Sequence, residues 1–579
     1  MRSQRKVLMG VFLALLAGLA PLRSRAAMQP VHAPHAMVVS VQGLASQAGV
    51  DILRQGGNAV DAAVAVGFAL AVVHPQAGNI GGGGFMLVRM GDGAAHFIDY
   101  REKAPANASR DMYLDAQGKV IPDASTIGYK SIGVPGSVAG MVYAEKKYGK
   151  LKLAQVMAPA IRLAREGFPL SWAEADEMRD PVLARFPASR QIFQRDGNYY
   201  RAGEIFRQPE LAATLEKIAA HADDFYHGEM ARQIAAAVQQ GGGLITAQDL
   251  ANYQVKDRQP VRGTYRGYEI ISAPPPSSGG IALIEALNIL EGYDLGALGS
   301  RSAESIHLTV EAFRRAFYDR AEFLGDPDFA KIPVAQLLDK KYGVAWRASL
   351  DPHHASDSRQ LKRPAEFHGL ERYAAQHPQP FAVREPQHTT HYSVVDAQGD
   401  AVSVTTTLND SFGSHVTVAG LGFLLNDEMD DFTSKPGVPN MYGLIQSPNN
   451  AIAPEKRPLS AMTPTIVLRN GRLFLVLGSP GGPRIITTVA NILMGVVDYG
   501  MNLQEAVDAP RFHHQWMPDT IYLEKGFSPD TIRLLQGMGH KVTQEDYWSD
   551  GECIEIDPKT GDRLGATDER NVSGKAVGY

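Results

Sequence analysis

The sequence predicts an α+β body, and three observations carry that expectation. Upstream of about residue 350 the apolar residues recur at helical spacing, as in Leu153 to Arg165, Ala212 to Ala220 and Ser302 to Phe323. From Thr389 onward, two-residue alternation takes over. Two turn signals, Ala397 to Gly399 and Asn470-Gly471, then each join a pair of alternating runs into a hairpin. Helices in one stretch and strands in another fit helices packed on antiparallel sheets. With 44% apolar and 21% charged residues the chain sits in the ordinary globular range, which excludes disordered, collagen-like and coiled-coil chains. Its 57 basic residues against 62 acidic ones, with no long Lys/Arg block, exclude a nucleic-acid footprint.

Taken in order, the first element is a leader. Arg2, Arg5 and Lys6 precede an uncharged run from Val7 to Leu22, and Ser24-Arg25-Ala26 offers a small-x-small cleavage site. The run is short for a membrane span and is broken by Pro21, so residues 1–26 read as a secretory signal peptide. Its removal takes away five basic residues and no acidic one, leaving a distinctly acidic exported chain with no membrane span. The lone cysteine, Cys553, allows neither an intramolecular disulfide nor a thiolate metal site, and a bacterial-type periplasm fits best.

Next, Gly56-Gly57 closes one helix and Asn58, with Asp61 three residues on, caps another that runs to about Val73. That helix, AVDAAVAVGFALAVV, is apolar on every face and too short to cross a bilayer, so it belongs in a core. The glycine run 78–84 leads into a hairpin, Phe85 to Met90 and Ala94 to Tyr100, with Arg101 just beyond its end. The stretch from Asp351 to His388 is polar and rich in His and Pro, and reads as an exposed connector. Thr389 opens TTHYSVVDAQGDAVSVTTTLN. A hairpin centred at residue 398 pairs position 389 with position 407, placing Thr389 and Thr407 side by side on one face. A second hairpin, Thr465 to Arg469 and Arg472 to Leu477, feeds GSPGG and a helix from about Ile485 to Tyr499.

Four groups could carry chemistry. GSPGG before a helix leaves backbone N–H groups free, as an oxyanion hole requires, although a tight packing turn is the plainer reading. GNIGGGG precedes a strand and lacks the G-x-G-x-x-G order, so a dinucleotide site is set aside. Asp427-Glu428-Met429-Asp430-Asp431 could hold a cation or an ammonium group, or be a solvated acidic turn. The adjacent pairs His353-His354 and His513-His514 point different ways and make weak metal ligands.

Six blocks in order then carry a resemblance: QAGNIGGGGF at 76–85, YREKAP at 100–105, TTHYSVVD at 389–396, LLNDEMDDF at 424–432, PLSAMTPT at 458–465 and GSPGGPRI at 478–485. With GATDERN near the end, they resemble the γ-glutamyltranspeptidases (glutathione hydrolases) over essentially the whole mature chain. The resemblance implies an N-terminal-nucleophile hydrolase with a four-layer αββα sandwich. It implies a precursor that cuts itself between His388 and Thr389 into residues 27–388 and 389–579, which stay together as large and small subunits. Thr389 matches the nucleophile, Thr407 the threonine supporting it, and Gly481 and Gly482 the oxyanion amides. Arg101 and Ser460 match the groups on the substrate α-carboxylate, and Asn409, Glu428 and Asp431 those around its α-amino end. Tyr442, within residues 436–449, resembles the tyrosine of a lid loop. Glutathione and other γ-glutamyl compounds are the implied donors, water, amino acids or peptides the acceptors, and neither cofactor nor metal is implied.

Two departures stand out: Ala461 replaces a second serine and His415 a glycine. Losing a hydroxyl donor to a buried carboxylate costs about 1.5 to 3 kcal/mol if nothing replaces it. An acylase of the cephalosporin type, acting on glutaryl amides without an α-amino group, is the alternative within the fold. The retained Asn409, Glu428 and Asp431 speak against it. A silent binding protein on the same scaffold is disfavoured because Thr389 and the GSPGG glycines are present.

Overall fold

The computed structural model describes residues 28–365 and 389–579. The expected leader, His388 and the rest of the connector beyond residue 365 lie outside the described residues. Two seven-stranded antiparallel sheets form the centre. Across the first, the strands run Lys575–Gly578, Met37–Ser40, Thr389–Val395, Ala401–Thr407, Gly83–Arg89, Ala95–Asp99 and Lys256–Arg258. Across the second they run Val31–Ala33, Arg563–Thr567, Glu552–Ile556, Arg472–Leu477, Thr465–Arg469, Tyr268–Ser272 and Val261–Tyr265.

Strand alternation builds the layers. On the first sheet Val39, Phe85, Leu87 and Phe97 point inward and meet Ile271, Ile466, Val476 and Ile554 from the second. Their neighbours Val38, Met86, Val88 and Val404 point outward, into a core shared with helices Gly43–Arg54, Ala59–Val73, Ser137–Tyr148 and Leu153–Glu166. The outer face of the second sheet, with Ile270, Val467 and Leu475, packs on helices Gly279–Leu290, Ala303–Phe323 and Arg484–Val497. The result is helix, sheet, sheet, helix: the expected αββα sandwich. Ala59–Val73 is buried along its whole length, as its apolar faces require, and Asn58 and Asp61 close the capping box at its start. Among the described residues no helix is long and apolar enough to cross a membrane.

Two expectations need correction. The upstream hairpin lies where expected, at Gly83–Arg89 and Ala95–Asp99, but Met37–Ser40, Val261–Tyr265 and Tyr268–Ser272 also belong to the two sheets and were not read. Short strands between long helices leave little periodicity to read. The connector is also not simply exposed: Ser358 and Leu361 are buried, and Arg363 forms ion pairs with Asp319 and Glu322 of the helix Ala303–Phe323.

Candidate active site

The two threonines come together because strand register leaves no choice. Thr389 pairs directly with Thr407, and the ladder continues without a shift to Val395 opposite Ala401. The two hydroxyl oxygens lie 3.1 Å apart, both side chains buried. The Asn409 N–H donates to Thr407 Oγ1 at 2.9 Å, so the Thr407 hydroxyl can turn its own proton toward Thr389 Oγ1.

Beneath this pair lies the glycine run. Asn79 Oδ1 accepts from the Gly82 N–H, and Asn79 Nδ2 donates to the carbonyl of Thr407 at 2.9 Å. A Cβ at Gly82 would sit 2.1 Å from that same carbonyl oxygen. The glycine at position 82 therefore lets one backbone approach another.

Thr389 and Thr407 line one pocket. At its other end Arg101, fully buried, donates to Pro458 O through Nε and forms ion pairs with Glu428 through Nη1 and Asp431 through Nη2. A third carboxylate, Glu102, lies 3.6 Å from Nη1. Burial opposes the charge on Arg101, but Glu428, Asp431 and Glu102 outweigh it and push its pKa up. One guanidinium cannot balance three acids. Burial pushes Glu102 up to about 7 against the pull of Arg101, and burial with repulsion from Glu102 and Asp431 raises Glu428 as well.

Between the two ends, Asn409 holds a positive φ of 83° and donates through Nδ2 to Asp427, while its Oδ1 accepts from the Tyr442 hydroxyl at 2.9 Å. Burial, then the acids Asp431 and Asp410, hold the Tyr442 phenol protonated. Ser460 and Ala461 line the wall beside Arg101. Gly482 lines it too, with Gly481 next in the chain, and both have positive φ, at 54° and 121°. Among the described residues neither glycine N–H donates a hydrogen bond, so both stand free where GSPGG turns toward the helix Arg484–Val497. A Cβ on Gly482 would meet the Tyr442 ring at 2.8 Å.

Every expected site residue inside the described range thus lies in or directly beside one pocket. Of the two departures, Ala461 is in its wall. His415 is not among the lining residues; it holds a φ of 62°, suited to glycine, and its Nε2 lies 3.0 Å from Asp180. Sequence reasoning missed Glu102, Asn79 and Arg320, the last also in the pocket wall. Glu102 and Asn79 stand within the blocks YREKAP and QAGNIGGGGF, which was the available signal. Arg320 carried none. It also missed a buried group elsewhere, His307, Glu311 and His540. The Glu311 oxygens there are taken by Arg314, Arg315 and Ser356, which marks a structural cluster.

With this geometry in view, the relatives are informative. The gamma-glutamyltranspeptidase family model matches residues 45–578. The chain is 49% identical over 568 residues to a glutathione hydrolase proenzyme of Pseudomonas sp. strain A14, covering 96% of both chains. It is 48% identical over 554 residues to the glutathione hydrolase proenzyme of Escherichia coli K12, covering 95% of this chain and 93% of that one. Among solved structures, a cephalosporin acylase from Bacillus halodurans superposes with a TM-score of 0.82 at 28% identity, over 97% of this chain and 98% of that one. The fold is that of the N-terminal-nucleophile hydrolases, and sequence identity lies with the glutathione hydrolases.

Proposed function

The chain belongs to the gamma-glutamyltranspeptidase family, and from that premise we propose how its pocket works. It is a γ-glutamyl-transferring hydrolase that acts on glutathione. The chain is exported to the periplasm through its leader, residues 1–26, and cuts itself once. Thr389 Oγ1 attacks the carbonyl carbon of His388, the peptide C–N bond breaks as the acyl group moves to oxygen, and water opens the ester. Residues 27–388 end in a carboxylate, and residues 389–579 begin with a free α-amine. Their strands interleave: Thr389–Val395 lies between Met37–Ser40 and Ala401–Thr407, and Lys575–Gly578 closes the far side of Met37–Ser40. One sheet therefore keeps the two fragments together.

Cleavage makes the catalyst. A neutral hydroxyl is a poor nucleophile, but an α-amine with a pKa of about 7.7 to 8.0 is partly free near neutral pH and takes the Oγ1 proton. Thr407 donates to Thr389 Oγ1 and fixes its lone pair. As Oγ1 adds to the γ-carbonyl of the donor, the negative charge meets the Gly481 and Gly482 N–H groups, each such donor being worth about 2.7 to 4 kcal/mol. The α-amine returns its proton to the leaving nitrogen. A γ-glutamyl ester remains on Thr389, and water or the amine of an acceptor amino acid or peptide then releases it.

Arg101 and Ser460 hold the donor α-carboxylate; Asn409, Glu428 and Asp431 hold its ammonium, which supplies the positive charge their surplus of acid lacks. Tyr442 covers the site through its bond to Asn409. The observation that carries this reading is the Thr389 and Thr407 hydroxyl contact of 3.1 Å in the wall of a pocket whose far end is an arginine among buried acids. The acids favour a γ-glutamyl over a glutaryl donor, because only the former brings an ammonium group. Parallel assays with γ-glutamyl and glutaryl anilides test it: the γ-glutamyl compound is the better substrate, and preference for the glutaryl compound rejects the reading.

A further inference from the structure

Two guanidinium groups face the donor pocket, and they differ in what already holds them. Arg101 gives both Nη atoms to carboxylates. Arg320, in the last turn of the helix Ala303–Phe323, is 2% exposed and lines the same pocket. Its Nε donates to Ser278 Oγ at 2.9 Å, and that hydroxyl passes its own proton to the carbonyl of Ser460 at 2.6 Å. Its Nη1 is buried and has no hydrogen-bond partner among the described residues. Burial lowers the Arg320 pKa to about 10, with Asp431 the charge that resists the shift, so the group remains cationic at neutral pH.

A buried cation with unused donors is costly unless an anion completes it. The γ-glutamyl group carries one anion, its α-carboxylate, and the wall tied to Arg320 through Ser278 is the wall of Ser460 and Ala461. We propose that Arg320 is a second carboxylate-binding residue of the donor site, meeting the α-carboxylate through Nη1 and supplying the donor that Ala461 lacks. The proposal rests on the γ-glutamyl reading above. It assigns Ser278 as a positioning residue, which aims the guanidinium from behind without touching the donor.

The test uses the self-cleaved protein and two anilides, γ-glutamyl and 4-aminobutanoyl. They differ in the α-carboxylate alone. Wild-type protein must turn over the γ-glutamyl compound; if it does not, the functional reading fails and not this inference. Arg320→Met should cut the kcat/KM preference for γ-glutamyl over 4-aminobutanoyl by about 10- to 100-fold, the size of a lost charge-assisted contact, with most of the change in KM. Arg320→Lys keeps the charge and loses the planar fork, so it should cut the preference less and still mature. Ser278→Ala should also lower the preference, and less than Arg320→Met. If every Arg320 variant that matures loses activity equally on both anilides, or keeps the wild-type preference, Arg320 serves the fold alone and the inference is wrong.

Discussion

The two ends of the pocket are built from opposite materials. At one end the Thr389 and Thr407 hydroxyls touch, and Gly482 lines the same pocket, none of them bringing a charged side chain. At the other, Arg101, Glu102 and Glu428 are buried together beside the partly exposed Asp431, and Arg320 faces the same space. In the proposed mechanism the difference follows from what each end does. Charge appears at the reacting carbonyl only in the transition state, so fixed backbone dipoles serve it best. A zwitterionic donor arrives already charged, and both of its charges must be matched after losing their water.

The comparison breaks most completely at Thr389. Thr389→Ala should remain a single chain on a denaturing gel and show no γ-glutamyl transfer, whereas wild type shows two fragments. At the charged end, Arg101→Ala should still cleave itself, because in the proposed mechanism the arginine holds donor and not the scissile peptide. Its kcat/KM for γ-glutamyl anilides should fall by about 2 to 4 kcal/mol in transition-state terms. A mature Arg101→Ala protein with unchanged kinetics would overturn the assignment of the carboxylate site.

A pH series sharpens the contrast. Burial raises Glu102, which lies behind the pocket beside Arg101, to about 7, toward the neutral form near that pH. The donor ammonium binds the charged form better, and binding therefore strengthens as pH rises. KM for γ-glutamyl donors should fall through about pH 7 and level off above it. Glu102→Gln should flatten this limb. The limb in kcat should survive, since it belongs to the Thr389 α-amine near pH 7.7 to 8.0. Loss of both limbs together would mean that the two ends do not titrate separately.

The smallest effect concerns Ala461. Ala461→Ser should lower KM for γ-glutamyl donors by about 0.5 to 1.5 kcal/mol, the value of one hydrogen bond, with kcat nearly unchanged. The carboxylate is remote from the reacting carbonyl, so ground and transition states gain alike. Steady-state kinetics with glutaryl anilide beside the γ-glutamyl compound complete the comparison. Weaker γ-glutamyl use, with glutaryl preferred by the wild type, would mark an acylase pocket.

The neutral end was the more legible in sequence. Strand alternation and a short turn fix register, so counting from residue 398 was enough to set Thr389 opposite Thr407. GSPGG before a helix offered free amides, although a tight packing turn was the plainer reading and the family resemblance raised the other. The charged end was only partly legible. LLNDEMDDF announces acids, but that Arg101 binds Glu428 and Asp431 depends on packing between residues more than three hundred positions apart. Arg320 was invisible because its helix reads as an ordinary buried helix with scattered charges, and nothing local says which arginine faces a pocket. Asn79 beneath Thr407 shows the same limit, since a glycine run declares that something comes close and not what it is.

The central claim, that Thr389 becomes an N-terminal nucleophile, is tested most directly by the mass of the smaller fragment. After brief mixing with a slow γ-glutamyl donor and an acid quench, that fragment should run from Thr389 to Tyr579 and carry one added glutamyl group on its first residue. A fragment beginning elsewhere, or a glutamyl group attached to any other side chain, would contradict the account.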